Sequence, residues 1–195
     1  MERLNECRRC DLWKRATQAV PGEGHRPAAL ILVGEQPGDE EDRQGRPFIG
    51  PAGRLLDQAI AAAGLERTDL FITNAVKHFK WEPRGKRRLH KKPSLTEIRA
   101  CTVWLEQEIE QVKPQALVAL GATALRALTG VTMTIERGRA EPLRHSAGPW
   151  IIATYHPSAI LRAEGEHAEE MRRALIADLR RAHELAARVS PLEGA

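Results

Sequence analysis

A six-residue apolar run, Ala28-Ala29-Leu30-Ile31-Leu32-Val33, opens directly into a segment of unusual backbone freedom. From Gly34 to Gly53 there are five glycines and three prolines in twenty positions, together with five carboxylates and the amide of Gln36. Few folds accept this pairing. An apolar run without alternation is a strand buried on both faces, the habit of a parallel sheet. A loop shaped by glycine and proline at the carboxyl end of such a strand is where open α/β sheets hold their ligands.

The rest of the chain keeps the same alternation. Leu55, Leu56, Ala59, Ile60 and Ala63 recur at helical spacing after Pro51, which suits a first helical turn, and Gly64 suits the C′ position. A second strand is predicted over 70–76, followed by Lys77 and His78. Residues 80–92 read as a loop of a different kind. Lys80, Arg84, Lys86, Arg87, Arg88, Lys91 and Lys92 stand there against the single Glu82, with His90 among them. Ser94-Leu95-Thr96-Glu97 is a capping box opening a helix whose inner face is Ile98, Cys101, Leu105 and Ile109, and Pro114 stops it. A third strand over 116–120 leads through Gly121 into a short helix, and 131–148 reads as irregular. A fourth strand over 150–154 runs into Tyr155-His156-Pro157-Ser158. A helix over 167–189 closes the pattern, and the last six residues look frayed.

These elements predict an α/β fold, one domain over 1–195 with a central four-stranded parallel sheet and helices on both faces. In a parallel sheet the carboxyl ends of the strands share one edge. The stretches 34–42, 74–78 and 155–162 should therefore meet in one cleft. No apolar run approaches the ~18–20 residues that span a membrane. The charged first residues do not resemble a signal peptide, so a cytosolic location is expected. Three cysteines in such a chain are thiols or metal ligands rather than a disulfide framework. Cys7-Arg8-Arg9-Cys10 brings two thiolates to one centre from a single turn, and on spacing alone zinc and an iron–sulfur cluster are equally open. The net charge of +4 is diluted by 26 acidic residues. Concentrated in 80–92, however, positive charge makes a patch able to neutralise several phosphates.

Three of these stretches together resemble a known family. Gly34-Glu35-Gln36-Pro37-Gly38-Asp39, continuing through Gly45-Arg46-Pro47-Phe48-Ile49-Gly50-Pro51-Ala52-Gly53-Arg54-Leu55-Leu56-Asp57, resembles motif A of the family 4 uracil-DNA glycosylases, which carry an iron–sulfur cluster. Ala153-Thr154-Tyr155-His156-Pro157-Ser158-Ala159-Ile160-Leu161-Arg162 resembles their second active-site motif, and Ile72-Thr73-Asn74-Ala75-Val76-Lys77 the segment between. Two departures resemble the UdgX subgroup instead. One is His78, where family 4 enzymes usually have cysteine. The other is Lys86-Arg87-Arg88-Leu89-His90, similar to a basic loop through whose histidine members of that subgroup become covalently attached to uracil-containing DNA. Leu89 replaces the subgroup's isoleucine, a volume-conserving change.

The resemblance implies a [4Fe-4S] cluster on Cys7, Cys10 and Cys101 with His78 as fourth ligand, since imidazole can replace thiolate on iron. It implies a uracil pocket made by Gln36, Asp39, Phe48, Asn74 and His156. Phe48 would stack on the base, and the Asn74 amide would pair with both donor and acceptor on its edge. His156 would donate toward uracil O2 as the anion leaves. Glu35, Asp39 and Asp42 would face the oxocarbenium-like sugar, with Glu40 and Glu41 solvated. Gln36 occupies a position where several superfamily members have aspartate, and an amide cannot act as a general base. His90, neutral near its ordinary pKa of ~6.5, would be the nucleophile, its ring oriented by Glu35 or Gln36. Lys86, Arg87, Arg88, Ser158 and Arg162 would contact DNA. The expected partner is uracil-containing DNA, single-stranded by preference, bound by a monomer. Competing expectations are a turnover enzyme with water as nucleophile and a uracil-DNA binding protein without chemistry. An iron–sulfur electron carrier would leave motif A unexplained.

Overall fold

The chain enters its sheet through a two-residue strand, β1 (Glu23–Gly24), and returns as β2 (Leu30–Gly34), every residue of which is buried. Two helices follow, α1 (Asp39–Gln44) and α2 (Pro51–Ala62), then β3 (Phe71–Asn74). A hairpin of β4 (Trp81–Arg84) and β5 (Arg87–His90) precedes the long helix α3 (Leu95–Val112). Next come β6 (Ala116–Leu120), α4 (Ala122–Thr129), α5 (Ile135–Ala140) and β7 (Leu143–Arg144). The chain ends with β8 (Trp150–Thr154), α6 (Pro157–Ile160) and α7 (Gly165–Val189). This is a computed structural model describing residues 3–189. The terminal stretch 190–195, expected to fray, lies outside the described residues.

The sheet order is β1-β3-β2-β6-β8-β7. The four inner strands are parallel, matching the predicted centre, and the two short edge strands run antiparallel. Strand residues alternate between two cores, as a pleat requires. Leu30, Leu32, Val118 and Ile152 pack against Leu55, Leu56 and Ile60 of α2 and Met171, Leu175 and Leu179 of α7. Ile31, Val33, Leu117 and Ile151 pack against Leu105 and Ile109 of α3 and Leu125 and Leu128 of α4. Helices thus cover both faces. Among the described residues no helix is long and apolar enough to cross a membrane.

Local signals are met where they were strongest. α2 starts at Pro51, and Gly64 takes the left-handed φ of +79° past its end. Ser94 Oγ accepts from the Glu97 N–H at 3.3 Å, while Glu97 Oε2 accepts from the Ser94 N–H at 2.6 Å. Three expectations need correction. Residues 80–92 are not a loop but an antiparallel hairpin with Trp81 opposite His90 and a two-residue turn, Gly85-Lys86. Residues 131–148 hold α5 and β7. The glycine-rich segment after β2 contains α1, and Glu41, expected to be solvated, is buried there. Its carboxylate accepts from Gly38 N at 3.0 Å and Gly50 N at 2.9 Å, so it fastens the loop's two ends together.

Candidate active site

The chain runs from β2 to β3 on one side and then crosses to β6 on the other, so β2 and β6 flank the switch point where open sheets leave a crevice. A cavity of about 880 Å³ lies there. Glu35 and Gln36 line it from the end of β2, Asn74 from β3, and Gly121 and Thr123 from the end of β6. Tyr155, His156 and Arg162 line it beyond β8, and Leu89 and His90 from the hairpin. The three loops expected to converge do so.

Phe48, Asn74 and His156 line one part of the cavity. Phe48 is buried against the core and adopts φ +55°, with its ring 5.8 Å from that of His156 at 33°. The kink needs Gly53, where a Cβ would sit 1.9 Å from the Phe48 carbonyl oxygen. Asn74 is also buried, and its Oδ1 has no hydrogen-bond partner among the described residues. Gly34 makes room for both, since a Cβ there would approach Asn74 Oδ1 at 2.3 Å and the Phe48 ring at 2.5 Å. A buried acceptor left unpaired is costly, and a ligand donor is the natural partner.

His156 has a defined tautomer. The Ser158 N–H donates to its Nδ1 at 3.1 Å, and Ser158 Oγ lies 2.8 Å from the same nitrogen. Nδ1 is thus an acceptor, and the proton of the neutral ring sits on Nε2. Burial, aided by His90 and Arg162, pushes its pKa down to about 4. Ser158, expected at DNA, orients this imidazole.

A histidine and a carboxylate, His90 and Glu35, line the same cavity. His90 Nε2 lies 3.4 Å from Glu35 Oε1, while Thr123 Oγ1 donates to Glu35 Oε2. Sequence reasoning missed Thr123, although its place just past the end of β6 is the same signal that marked the other loops. Burial lowers the His90 pKa; Glu35 opposes the shift and Arg162 adds to it. Gln36 lines the cavity, but its amide is committed to the hairpin. Its amide nitrogen donates to the carbonyls of Lys80 (3.2 Å) and Lys91 (3.1 Å), and its Oε1 accepts from Lys80 N (3.1 Å). It clamps the base of the hairpin that carries His90.

Two further assignments change. Asp42 is wholly buried away from the cavity, accepting from Thr17 N (2.9 Å), Thr17 Oγ1 (2.6 Å) and Arg88 Nη1 (2.6 Å). It anchors rather than faces a sugar. Arg88 is turned inward by the strand alternation, bonded to Asp39 and Asp42 and stacked over Phe79 and Trp81. That commitment removes it from phosphate contact and leaves Asp39 engaged by Arg88 and Arg43. Lys86 and Arg87 remain exposed at the hairpin tip, and Arg162 is exposed where it lines the cavity.

The cysteines form a separate centre. Cys7, Cys10 and Cys101 gather with Leu12, Val76, Ile98 and Trp104. Trp104 Nε1 donates to Cys7 Sγ and Lys77 N to Cys101 Sγ, both at 3.2 Å. Burial pushes Cys101 up to about 11, opposed by Lys77 and reinforced by Cys10 and Cys7. His78 is buried beside Asp42 and Arg8. No group of three or more His, Cys, Asp or Glu among the described residues is drawn tightly enough to hold a single ion. The three thiols share an apolar pocket, and two of them already receive N–H donors.

The comparisons agree with this architecture. The family model for the uracil DNA glycosylase superfamily matches residues 21–180. The chain is 38% identical over 182 residues to a type-4 uracil-DNA glycosylase of Thermotoga maritima, covering 93% of this chain and 90% of that protein. It is 36% identical over 193 residues to a type-4 uracil-DNA glycosylase of Sulfurisphaera tokodaii, covering 95% and 82%. A type-5 uracil-DNA glycosylase of Pyrobaculum aerophilum is 32% identical over 172 residues, covering 78% and 71%. With the family model spanning the sheet and the loops that build the cavity, the chain belongs to the uracil-DNA glycosylase superfamily.

Proposed function

We propose that the protein excises uracil from DNA and then bonds the exposed deoxyribose through His90, as in the UdgX subgroup it resembles. A uracil turned into the cavity would stack on Phe48 and offer its N3–H to the unpartnered Asn74 Oδ1. Its O2 would meet the Nε2–H of His156, a neutral donor where negative charge develops. The C1′–N1 bond breaks, and its electron pair leaves with uracil. A ring nitrogen of His90 bonds C1′, the remaining ring proton passes to Glu35, and uracil takes up a proton from solvent.

The observation that carries covalent capture is the His90–Glu35 contact at 3.4 Å on a hairpin locked over the cavity. Gln36 and Arg88 commit their polar atoms to that lock. The amide at 36 cannot activate water, so the imidazole meets the sugar first. An N-alkylated imidazole is a poor leaving group, and the bond persists.

Lys86, Arg87 and Arg162 would track phosphate, on a monomer that favours single-stranded DNA because extrusion from a duplex costs unstacking. Cys7, Cys10, Cys101 and His78 would hold a [4Fe-4S] cluster, which ties the amino-terminal segment to α3. The type-4 names of the relatives favour a second reading, release of uracil by water with turnover. Incubation with uracil-containing single-stranded DNA separates the two. A band that survives heat and detergent is expected. Abasic product accumulating over many turnovers without such a band would favour the second reading, and intact uracil would contradict both.

A further inference from the structure

One buried ion pair has no part in the site described above. Lys77 is wholly buried, and its Nζ donates to Thr73 Oγ1 at 2.6 Å, to the Asn74 carbonyl at 2.8 Å and to Glu108 Oε2 at 2.6 Å. Glu108, on the inner face of α3, is buried as well. Its Oε2 also accepts from Thr73 Oγ1 at 2.7 Å, and its Oε1 accepts from Gly22 N at 2.8 Å. All three ammonium donors and both carboxylate oxygens are used.

Stability does not account for such a pair. Taking two charges out of water costs about as much as their attraction returns, and apolar side chains of similar volume serve as well or better. An apolar pair could not grip a carbonyl. The carbonyl gripped here belongs to Asn74, the last residue of β3, paired with Gly34 at the end of the ladder. Past that point the backbone leaves the sheet, held to β2 and its loop by Ala75 N to Gly34 O (2.9 Å) and Val76 N to Glu35 O (3.0 Å). The Asn74 side-chain oxygen is buried and unpartnered, so nothing bonded to it sets its direction. Its aim is inherited from its own peptide. The next grip comes from the same helix, since Lys77 N donates to Cys101 Sγ at 3.2 Å, seven positions before Glu108 on α3. Two points about two turns apart on one rigid helix therefore hold the stretch that carries Asn74.

We propose that Lys77, paired with Glu108, is a positioning residue for base selection: it holds the Asn74 peptide from behind, so that the amide oxygen stays aimed at the N3–H of a uracil ring. This rests on the assignment of Asn74 as the base-reading residue. Cytosine presents an acceptor at N3 where uracil presents a donor, so discrimination depends on keeping that oxygen in place. A turn free to rotate would let the amide turn over and present nitrogen instead.

The test is a cycle between Asn74→Ala and the paired change Lys77→Met with Glu108→Gln, which removes both charges together and strands neither. The readouts are the single-turnover rate of uracil release from single-stranded DNA, the ratio of uracil to cytosine release, and the melting temperature. The paired change should slow uracil release by roughly tenfold and lower the uracil-to-cytosine ratio. It should have no further effect once Asn74 is alanine. Equal losses with and without the Asn74 amide would overturn the positioning role while leaving Asn74 as the reader. Unchanged release by Asn74→Ala alone would overturn the base-reading assignment and the proposal with it. If the paired variant does not fold, Thr73→Val keeps both charges and removes one shared hydroxyl. A loss of about threefold that vanishes in the Asn74→Ala background supports the proposal, and a loss that persists there overturns it.

Discussion

His156 and His90 face one cavity, and both have pKa values below the ordinary value of about 6.5. For His156 the cause is burial first and the neighbouring His90 and Arg162 second, and protonation waits until about pH 4. The sign of the consequence follows. The unfolded chain takes up these protons below about 6.5 while the folded chain does not, so stability falls as pH drops through that window, to about 4 for His156. Chemistry should separate the two rings. Uracil release should stay level from pH 8 to 6 and fail only toward 4, whereas capture should fall first, at some pH below 6.5, as His90 takes its proton. Quantifying free uracil and bonded protein in the same samples checks this, and capture already lost between pH 8 and 7 would contradict it. At this scale the sequence was an uneven guide. Spacing and motif placed Glu35, Asn74, His90 and His156 around one cavity. They could not tell which side of a loop Asp42 or Arg88 would face, because that is decided by distant partners such as Thr17.

The hairpin β4/β5 is the element that the sequence concealed. The seven cations of residues 80–92 masked the two-residue turn at Gly85, and the hairpin's pairing draws on contacts no local window contains. Trp81 Nε1 donates to the Arg15 carbonyl at 2.8 Å, and the Arg88 guanidinium lies over the Trp81 ring at 5.5 Å. By contrast α2 and the capping box of α3 were legible, since proline, glycine, serine and glutamate act within one turn. Gln36 joins the two kinds of information: a residue of the β2 loop makes three hydrogen bonds to the hairpin's base. Gln36→Ala should therefore loosen the hairpin, since its amide bonds go to Lys80 and Lys91. Capture should slow on the order of tenfold or more, because small displacements of a reacting group are expensive. Uracil release, counted in parallel, should change by less than about twofold, as expected where no contact to the leaving base is lost. Equal losses in both would mean that Gln36 serves the pocket rather than the hairpin.

Across the whole molecule, the parallel centre and the meeting of three loops could be read from alternation alone, because apolar runs and helix periods record burial directly. The edge strands β1 and β7, two residues each, are too short to leave a pattern. The fold then brings parts far apart in the chain to one task. The loop after β2 supplies Glu35, the hairpin supplies His90, and the turn after β8 supplies His156. Together they predict a covalent product with a definite composition: protein plus DNA strand minus one uracil, joined by a bond that borohydride does not reduce. The intact mass of the heat-resistant complex on a single-stranded oligonucleotide measures this directly. The predicted result is that mass for the native protein and no complex for His90→Ala. An imine to lysine would have the same mass but would take up two hydrogens on treatment with borohydride, so such a gain, or a complex that still forms with His90→Ala, would contradict capture by His90.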